Sequence, residues 1–440
     1  MRLRRPVCFF LLASLLWTAC QRETIIPEDA KSLERISVIP ARVDSLPCVY
    51  IHTPQAIKSR DVWVDQADIR IEVRVDGKDS VVYQSDSLHI KGRGNSTWTA
   101  YPKRPYALKL SEKINLLGTG KSARWVLLAN WMDRTLLRNQ VAFEAARRTS
   151  LEWTPSGIFV KLYMNEPDSE DDDYYYQGVY WLGEKIKVEG AHFDADYLYS
   201  FDSSDRGKED FTAYCHYMTA GEWFEGDVPV VVKYPDRDEV SDVYWMSSLK
   251  DQCMYALQDV EDAIYHVATG RWTQKIDLNS FCDWYLVNEL VYNTEVRHPK
   301  SCYFYIRDGV MYAGPVWDFD YGTFHVPSEL SQLRIKSALY YFQLFPLPEF
   351  RKRLKARWKV LRPRFVSLTS YIDEQADWIR SSEIKNHELW PCYPNPLGTA
   401  DTNWMVNMDE DLSFQEAVDK MKQALLLRIE TLDEQLAQLQ

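Results

Sequence analysis

Two aspartates stand two residues apart in Pro315-Val316-Trp317-Asp318-Phe319-Asp320, where a buried-strand pattern runs out into an acidic turn. In extended chain the side chains of residues i and i+2 leave the same face, their Cα atoms roughly 6.5–7 Å apart. Carboxylates placed like this can share one Mg²⁺ or hold two, and Mg²⁺ favours one or two protein carboxylates completed by substrate phosphates. The same residues also suit a plain turn whose aspartates cap the next segment. The surrounding stretch, 289–324, reads as a helix end, a polar loop, a two-strand hairpin and then this turn.

A second stretch far upstream adds to the metal reading. In Gly92-Arg93-Gly94-Asn95-Ser96-Thr97-Trp98, two glycines bracket Arg93, and Asn95 leads a run of small polar residues. Such a loop offers backbone N–H groups, hydroxyls and a guanidinium to an anion. In the strand that follows, Tyr106, Leu108 and Leu110 share one face, and Lys109 lies with Ala107 on the other. That position suits a lysine meeting nucleotide phosphate. It equally suits a surface lysine on an edge strand.

The elements that must carry these groups are legible as patterns. Residues 69–75 alternate strictly, Asp76-Gly77 gives a turn, and residues 80–83 return as the hairpin partner. Residues 125–130 read as a buried strand. Asp133 can cap the helix after it, whose apolar face is Leu136, Leu137, Val141 and Ala145, with Arg138 and Asn139 inside it. Residues 157–164 and 176–182 form a second hairpin across an acidic loop, 165–173, that reads as a solvated tip. Residues 230–235 are a strand, and 241–269 and 279–293 are helices by apolar spacing. The last helix begins at Ser413, with Glu416 completing a capping box.

Composition narrows the function classes. The net charge of −12 and the lack of a Lys/Arg-rich run argue against a nucleic-acid partner. A hydrophobic content of 46% with 16 Trp, 27 Tyr and 17 Phe means a sizeable core, not a disordered chain. No CxxC pair points to a zinc ribbon, and no P-loop, HExxH or GxSxG motif is present. Arg2-Leu3-Arg4-Arg5, then the apolar run Val7–Trp17, then Thr18-Ala19-Cys20 read as an export signal too short to span a bilayer. Small residues before Cys20 are similar to a bacterial lipobox, with Trp17 as a departure. The expectation is a lipoprotein of the cell envelope, anchored to the membrane through lipidated Cys20 and monomeric.

The segments GRGNSTW, PKRPYALKL, WVLLANWMDRTLLRN, GVYWLGEKI at 178–186, NEL at 288–290 and PVWDFD occur in that order. In this the chain resembles the CotH kinase family, the spore-coat protein H-like atypical protein kinases, over about residues 60–330. The resemblance implies an α+β chain with a divergent protein-kinase-like fold, a β-rich N-terminal lobe and a helical C-terminal part. It also implies ATP with Mg²⁺ as cofactors and transfer to Ser or Thr of a protein or peptide acceptor. The organisation expected is a signal at 1–19, a tether at 20–45, a core at 46–330 (β-rich to 185, mixed from 186) and a helical extension at 331–440. By the resemblance Asp318 and Asp320 hold the metal; the family pattern does not settle which is the main ligand, and the expectation here is Asp318. Arg93, Asn95 and Lys109 meet phosphate, and Glu184 pairs with Lys109 as kinases pair a strand lysine with a glutamate. Asp202 is the nearest candidate for a further acidic residue.

One departure stands out. Asn293-Thr294-Glu295 carries glutamate where the family shows aspartate, at the position that orients the acceptor hydroxyl. Glutamate is one methylene longer, and misplacement near 1 Å costs catalysis heavily. This leaves a second class open, an exported scaffold on a kinase-like fold that is catalytically silent. A third is a carboxylate-pair glycosidase using Glu295 with Asp318 or Asp320, which leaves the Arg93 loop and Lys109 without a role.

Overall fold

The structure, a computed structural model, describes residues 44–165, 167, 173–189, 192–324, 332–391, 409 and 411–439. The export signal, Cys20, nearly all of the tether, most of the acidic hairpin loop and Cys392 lie outside the described residues.

Seven strands close into a barrel: β1 Cys48–His52, β2 Val64–Val75, β3 Lys78–Gly92, β4 Tyr106–Asn115, β5 Lys121–Leu128, β6 Gly157–Asn165 and β7 Tyr175–Glu184. Their order is β1-β2-β3-β4-β5-β7-β6, and a parallel pairing of β6 with β1 shuts the ring. The alternation read from sequence is the reason for the barrel's core. Ile69 and Ile71 of β2 are buried and pack with Ile90, Leu108, Trp125 and Leu182 inside the ring. The β2–β3 turn falls on Asp76-Gly77, both with positive φ (50° and 74°), as a two-residue hairpin turn requires.

Five more strands make a second, antiparallel sheet: β8 Tyr197–Phe201, β9 Phe211–Thr219, β10 Glu222–Tyr234, β11 Cys302–Arg307 and β12 Val310–Ala313, in the order β12-β11-β8-β10-β9. The strand expected at 230–235 is the end of the long β10.

The helices are α1 Ser96–Thr99, α2 Arg138–Arg147, α3 Asp242–Tyr244, α4 Lys250–Tyr265, α5 Trp272–Lys275, α6 Leu278–Leu290, α7 Tyr341–Leu344, α8 Pro348–Val366, α9 Leu368–Leu389 and α10 Phe414–Gln438. The single helix expected over 241–269 is instead α3 and α4 joined by a π-helical stretch, Trp245–Leu249. The helix expected to reach 293 ends at Leu290, and Tyr292 (φ 54°) turns the chain out of it. The capping box at Ser413 and Glu416 forms as read. No described helix is long and apolar enough to cross a membrane.

Two buried polar groups show how the helices are fixed. Arg428 of α10 reaches α6, where it pairs with Glu289 at 2.7 Å and donates to the Glu289 carbonyl at 3.0 Å. Removing one partner of such a pair leaves a buried charge uncompensated. Glu261 of α4 accepts from Tyr340 Oη at 2.7 Å and from the Tyr214 backbone N–H at 2.8 Å. Burial nevertheless pushes its pKa up to about 7. The folded chain therefore holds a proton that the unfolded chain releases above its value of 4.5. On this account stability falls by about 3 kcal/mol as pH rises from about 4.5 to about 7. Glu261→Gln is expected to flatten the pH dependence of the urea midpoint across that window relative to wild type.

Candidate active site

The acidic turn leaves the second sheet after β12 and passes under α2. Asp318 takes a left-handed backbone (φ 69°), a conformation that aspartate tolerates better than most residues. Tyr292, Ser301 and Phe324 nearby do the same, at 54°, 49° and 49°. Such conformations cost of order 1–3 kcal/mol each and persist where the surroundings over-determine them.

The surroundings here do so. Phe319 N–H donates to Asn139 Oδ1 of α2 at 2.7 Å, and Arg138 Nε donates to the Thr323 carbonyl at 3.0 Å. Thr294 N–H donates to the Gly322 carbonyl at 3.2 Å, and Phe324 N–H to the Val291 carbonyl at 2.8 Å. The turn and the loop after α6 are thus sewn together. Within that loop Asn293 Nδ2 donates to Asn288 Oδ1 at 2.9 Å, and Asn293 Oδ1 accepts from Glu295 N–H at 3.0 Å. This sets Glu295 at the start of a short 3₁₀ turn beside the aspartates.

Asp202, at the end of β8, joins them. Its Oδ2 accepts from Ser301 N–H at 3.3 Å, and Ser301 Oγ donates to Asp318 Oδ2 at 3.0 Å. Ser301 therefore bridges two carboxylates from separate parts of the chain, one just past β8 and one in the acidic turn. Arg93 comes from the barrel side, and its guanidinium lies over the Trp317 ring, 5.5 Å from its centre. Trp317 in turn packs on Phe143 of α2.

The electrostatics follow from this crowding. Burial raises the Asp318 pKa, opposed by Arg93 and the Ser301 hydroxyl, and Asp202 raises it further. Burial, with the Asp318 and Asp133 charges, pushes Asp320 up to about 7. Glu295 is pushed up to about 8 by burial and by Asp318, against Lys300, whose Nζ is 3.6 Å away. Burial lowers the Arg93 pKa, and the Asp318 charge opposes this. Asp202, Glu295, Asp318 and Asp320 interact electrostatically with only Arg93 and Lys300 offsetting them nearby, a site short of positive charge. That is the donor chemistry a hard divalent cation satisfies. Among the described residues no three His, Cys, Asp or Glu side chains converge as a ready-made cage. Mg²⁺ does not require one, because it keeps waters and substrate phosphates around one or two protein carboxylates.

The CotH kinase protein family model matches residues 90–430. The chain belongs to the CotH kinase family. The match spans the glycine–arginine loop, barrel strands β4 to β7, the second sheet, the acidic turn and the C-terminal helices through most of α10. No curated protein matches the chain.

In this member of the CotH kinase family the residues singled out from sequence divide into those brought together and those kept apart. Glu295, Asp318, Asp320, Arg93 and Asp202 converge. Asn95 lies on the exposed rim of the same loop, where its Oδ1 accepts from Arg60. Lys109 lies on the barrel's outer face, the face of Arg93 by strand alternation. Its expected pairing with Glu184 does not form. Leu108, Trp125 and Glu184 stand opposite one another on the inner face, while Lys109 and Arg124 share the outer one. Strand alternation thus puts the wall of the barrel between lysine and glutamate. Glu184 instead accepts from Ser156 N–H at 3.3 Å and lies 2.8 Å from His192 Nε2.

Sequence reading missed three residues that position the site. Arg138 pairs with Asp133 at 2.7 Å and with Asp409 at 2.8 Å while holding Thr323. Asn139 holds Phe319 and is itself held by Asn130 at 3.0 Å. Lys103 is buried and donates to the Ala129 and Val179 carbonyls and to Asn386 Oδ1 of α9, locking the barrel to a C-terminal helix. The available signal was the Arg138-Asn139 pair inside an otherwise apolar helix start. In fact α2 is buried along its whole length, polar residues included, so the single apolar stripe read from its periodicity describes only part of its contacts. Asn139→Ala leaves the buried Phe319 N–H without its acceptor, a loss of about 1–3 kcal/mol. The variant is expected to unfold at lower urea and to lose metal-dependent nucleotide affinity, both read on one preparation.

Proposed function

We propose that the protein is an atypical kinase that transfers the terminal phosphoryl group of Mg·ATP to a Ser or Thr hydroxyl of a protein acceptor. One observation carries this reading. The acidic turn, Glu295 and Asp202 come from three separate parts of the chain and meet on one face against Arg93. The pairing of a β-rich lobe with a mixed and helical one supports a kinase-like fold.

Phosphoryl transfer asks the protein mainly for positioning and charge neutralisation. Asp318 and Asp320 would hold Mg²⁺, which would offset the charge of the donor phosphates. The acceptor oxygen attacks the terminal phosphorus, the bond to the bridging oxygen breaks, and ADP leaves. The hydroxyl proton passes to the Glu295 carboxylate. Positive charge at the turn favours that carboxylate by offsetting the aspartates that push its pKa up.

We further propose that the chain is exported and tethered at the cell envelope through lipidated Cys20, a reading that rests on the basic, apolar and small-residue order of residues 2–20. The glutamate at position 295 favours one rival, a nucleotide-binding scaffold without transfer. Calorimetric titration with ATP, with and without Mg²⁺, followed by a phosphate-transfer screen against envelope proteins, tests both. Mg²⁺-dependent binding with transfer supports the kinase. Binding without transfer to any acceptor, or to water, supports the scaffold. Failure of the folded chain to bind any nucleotide overturns both.

A further inference from the structure

The outer face of the barrel carries cations that the acidic turn does not use. His89 on β3 stands opposite Lys109 on β4, and Lys109 opposite Arg124 on β5. Lys185, just past β7, donates its backbone N–H to the Arg124 carbonyl at 3.1 Å. Lys91 lies on the same face, two residues along β3 from Arg93. Its Nζ is 4.6 Å from the centre of the Trp63 ring, and the Arg124 guanidinium carbon is 6.0 Å from it. Lys233 of β10 approaches from the second sheet.

Like charges set opposite one another across strands destabilise a sheet, so this row is not explained by folding. Carboxylates answer only its margins. Asp65 pairs with His89 at 2.5 Å, and Asp236 lies near Lys185 and pairs with Lys187 at 3.6 Å. Lys91, Lys109 and Arg124 have no ion-pair partner among the described residues.

We propose that this row seats the phosphate chain of the donor: Lys91, Lys109, Arg124 and Lys185 bind a linear polyphosphate on the face of the barrel that leads to Arg93 and the acidic turn. The inference rests on the kinase reading and adds the residues that recognise the donor. Length supports it, because two inter-strand gaps from Lys109 to Lys185 span roughly 10 Å, about the extent of a triphosphate. Continuity supports it as well. Arg93 and Lys91 are one i, i+2 step apart, roughly 6.6 Å, so the row runs on from the carboxylates. Arg124 can bind phosphate through two parallel N–H bonds, and Trp63 holds it and Lys91 in place by stacking. Lys185 is open to solvent yet closed in by the surrounding protein, which pushes its pKa down to about 8, with Arg124, Lys233 and Lys91 adding to the effect against Asp236. An anion bound beside it relieves that repulsion.

The test is calorimetric titration of the full chain with inorganic tripolyphosphate, without metal. It compares wild type, the Lys91→Gln/Arg124→Gln double variant, and Lys121→Gln, an exposed charge at the start of β5. The expected result is one equivalent bound by wild type, affinity weaker by tenfold or more in the double variant, and no change in Lys121→Gln. The same weakening is expected for Mg·ATP, with unchanged thermal unfolding showing that the double variant is folded. Absence of tripolyphosphate binding by wild type, or equal affinity in the double variant, overturns the row. If Mg·ATP then still binds wild type and fails to bind Asp318→Asn, the kinase reading stands without it. If tripolyphosphate binds through the row and Mg·ATP does not bind, the row stands and the kinase reading falls.

Discussion

Asp318→Asn is expected to remove Mg²⁺-dependent nucleotide binding and to lower phosphoryl transfer by roughly 10²–10³-fold, the scale seen when one preorganised electrostatic group is lost at the reacting centre. The amide keeps the shape of the side chain and an oxygen for Ser301 Oγ, now 3.0 Å from Oδ2. What it loses is charge. The sign of the accompanying stability change separates this account from a merely structural role. Burial and Asp202 already raise the Asp318 pKa in the metal-free chain, so its carboxylate is held there against its preference. Removing that charge also lowers the repulsion felt by Asp320 and Glu295. The metal-free variant is therefore expected to unfold at the same urea concentration as wild type or a higher one. Wild type, by contrast, gains stability on addition of Mg·ATP. Thermal melts with and without Mg·ATP read both effects. A variant that melts lower than wild type without metal, yet still gains stability from Mg·ATP, would show that Asp318 braces the turn and does not serve the metal.

Glu295→Gln is expected to lower the rate of transfer by roughly 10²–10⁴-fold while leaving nucleotide affinity nearly unchanged. The residue is buried, its backbone N–H is held by Asn293, and its carboxylate lies 3.6 Å from Lys300 Nζ. The loss should fall on the maximal rate with acceptor saturating, and not on the nucleotide dissociation constant. Glu295→Asp measures what the extra methylene does. If the loop has adapted to glutamate, the shorter side chain misses its position and transfer falls. If the glutamate marks a silenced site, wild type binds nucleotide without transfer, and the aspartate variant is the one to gain activity. A wild-type enzyme whose transfer is indifferent to both substitutions would remove Glu295 from the chemistry.

Much of the site was legible because its groups sit in short segments where local pattern fixes local geometry. Alternation at 69–75 and Asp76-Gly77 specify a hairpin, since a two-residue turn with positive φ admits few other sequences. The turn at 315–320, the loop at 92–98 and Asn293-Thr294-Glu295 are each contiguous, and each is found near the others. Glu184 was misread for the opposite reason. Whether it meets Lys109 depends on the register of three strands, β4, β5 and β7, and parity across two pairings places them on opposite faces of the barrel wall. No local pattern contains that parity.

By itself, the sequence determined the family, the α+β class, most strands of the barrel and the capping box of the last helix, and it pointed to the acidic turn and the Arg93 loop. Each depends on neighbours within a few positions, where periodicity, turn chemistry and composition act. Only the tertiary structure decided which of those residues meet. It brought Asp202 to Asp318 through Ser301, hung the acidic turn from Asn139 and Arg138, and gave Glu184 to His192. It also aligned Lys109, Arg124 and Lys185 in one row. These pairings join residues 8 to 185 positions apart. Strand register and the closure of the barrel set them, and both are properties of the whole packed chain.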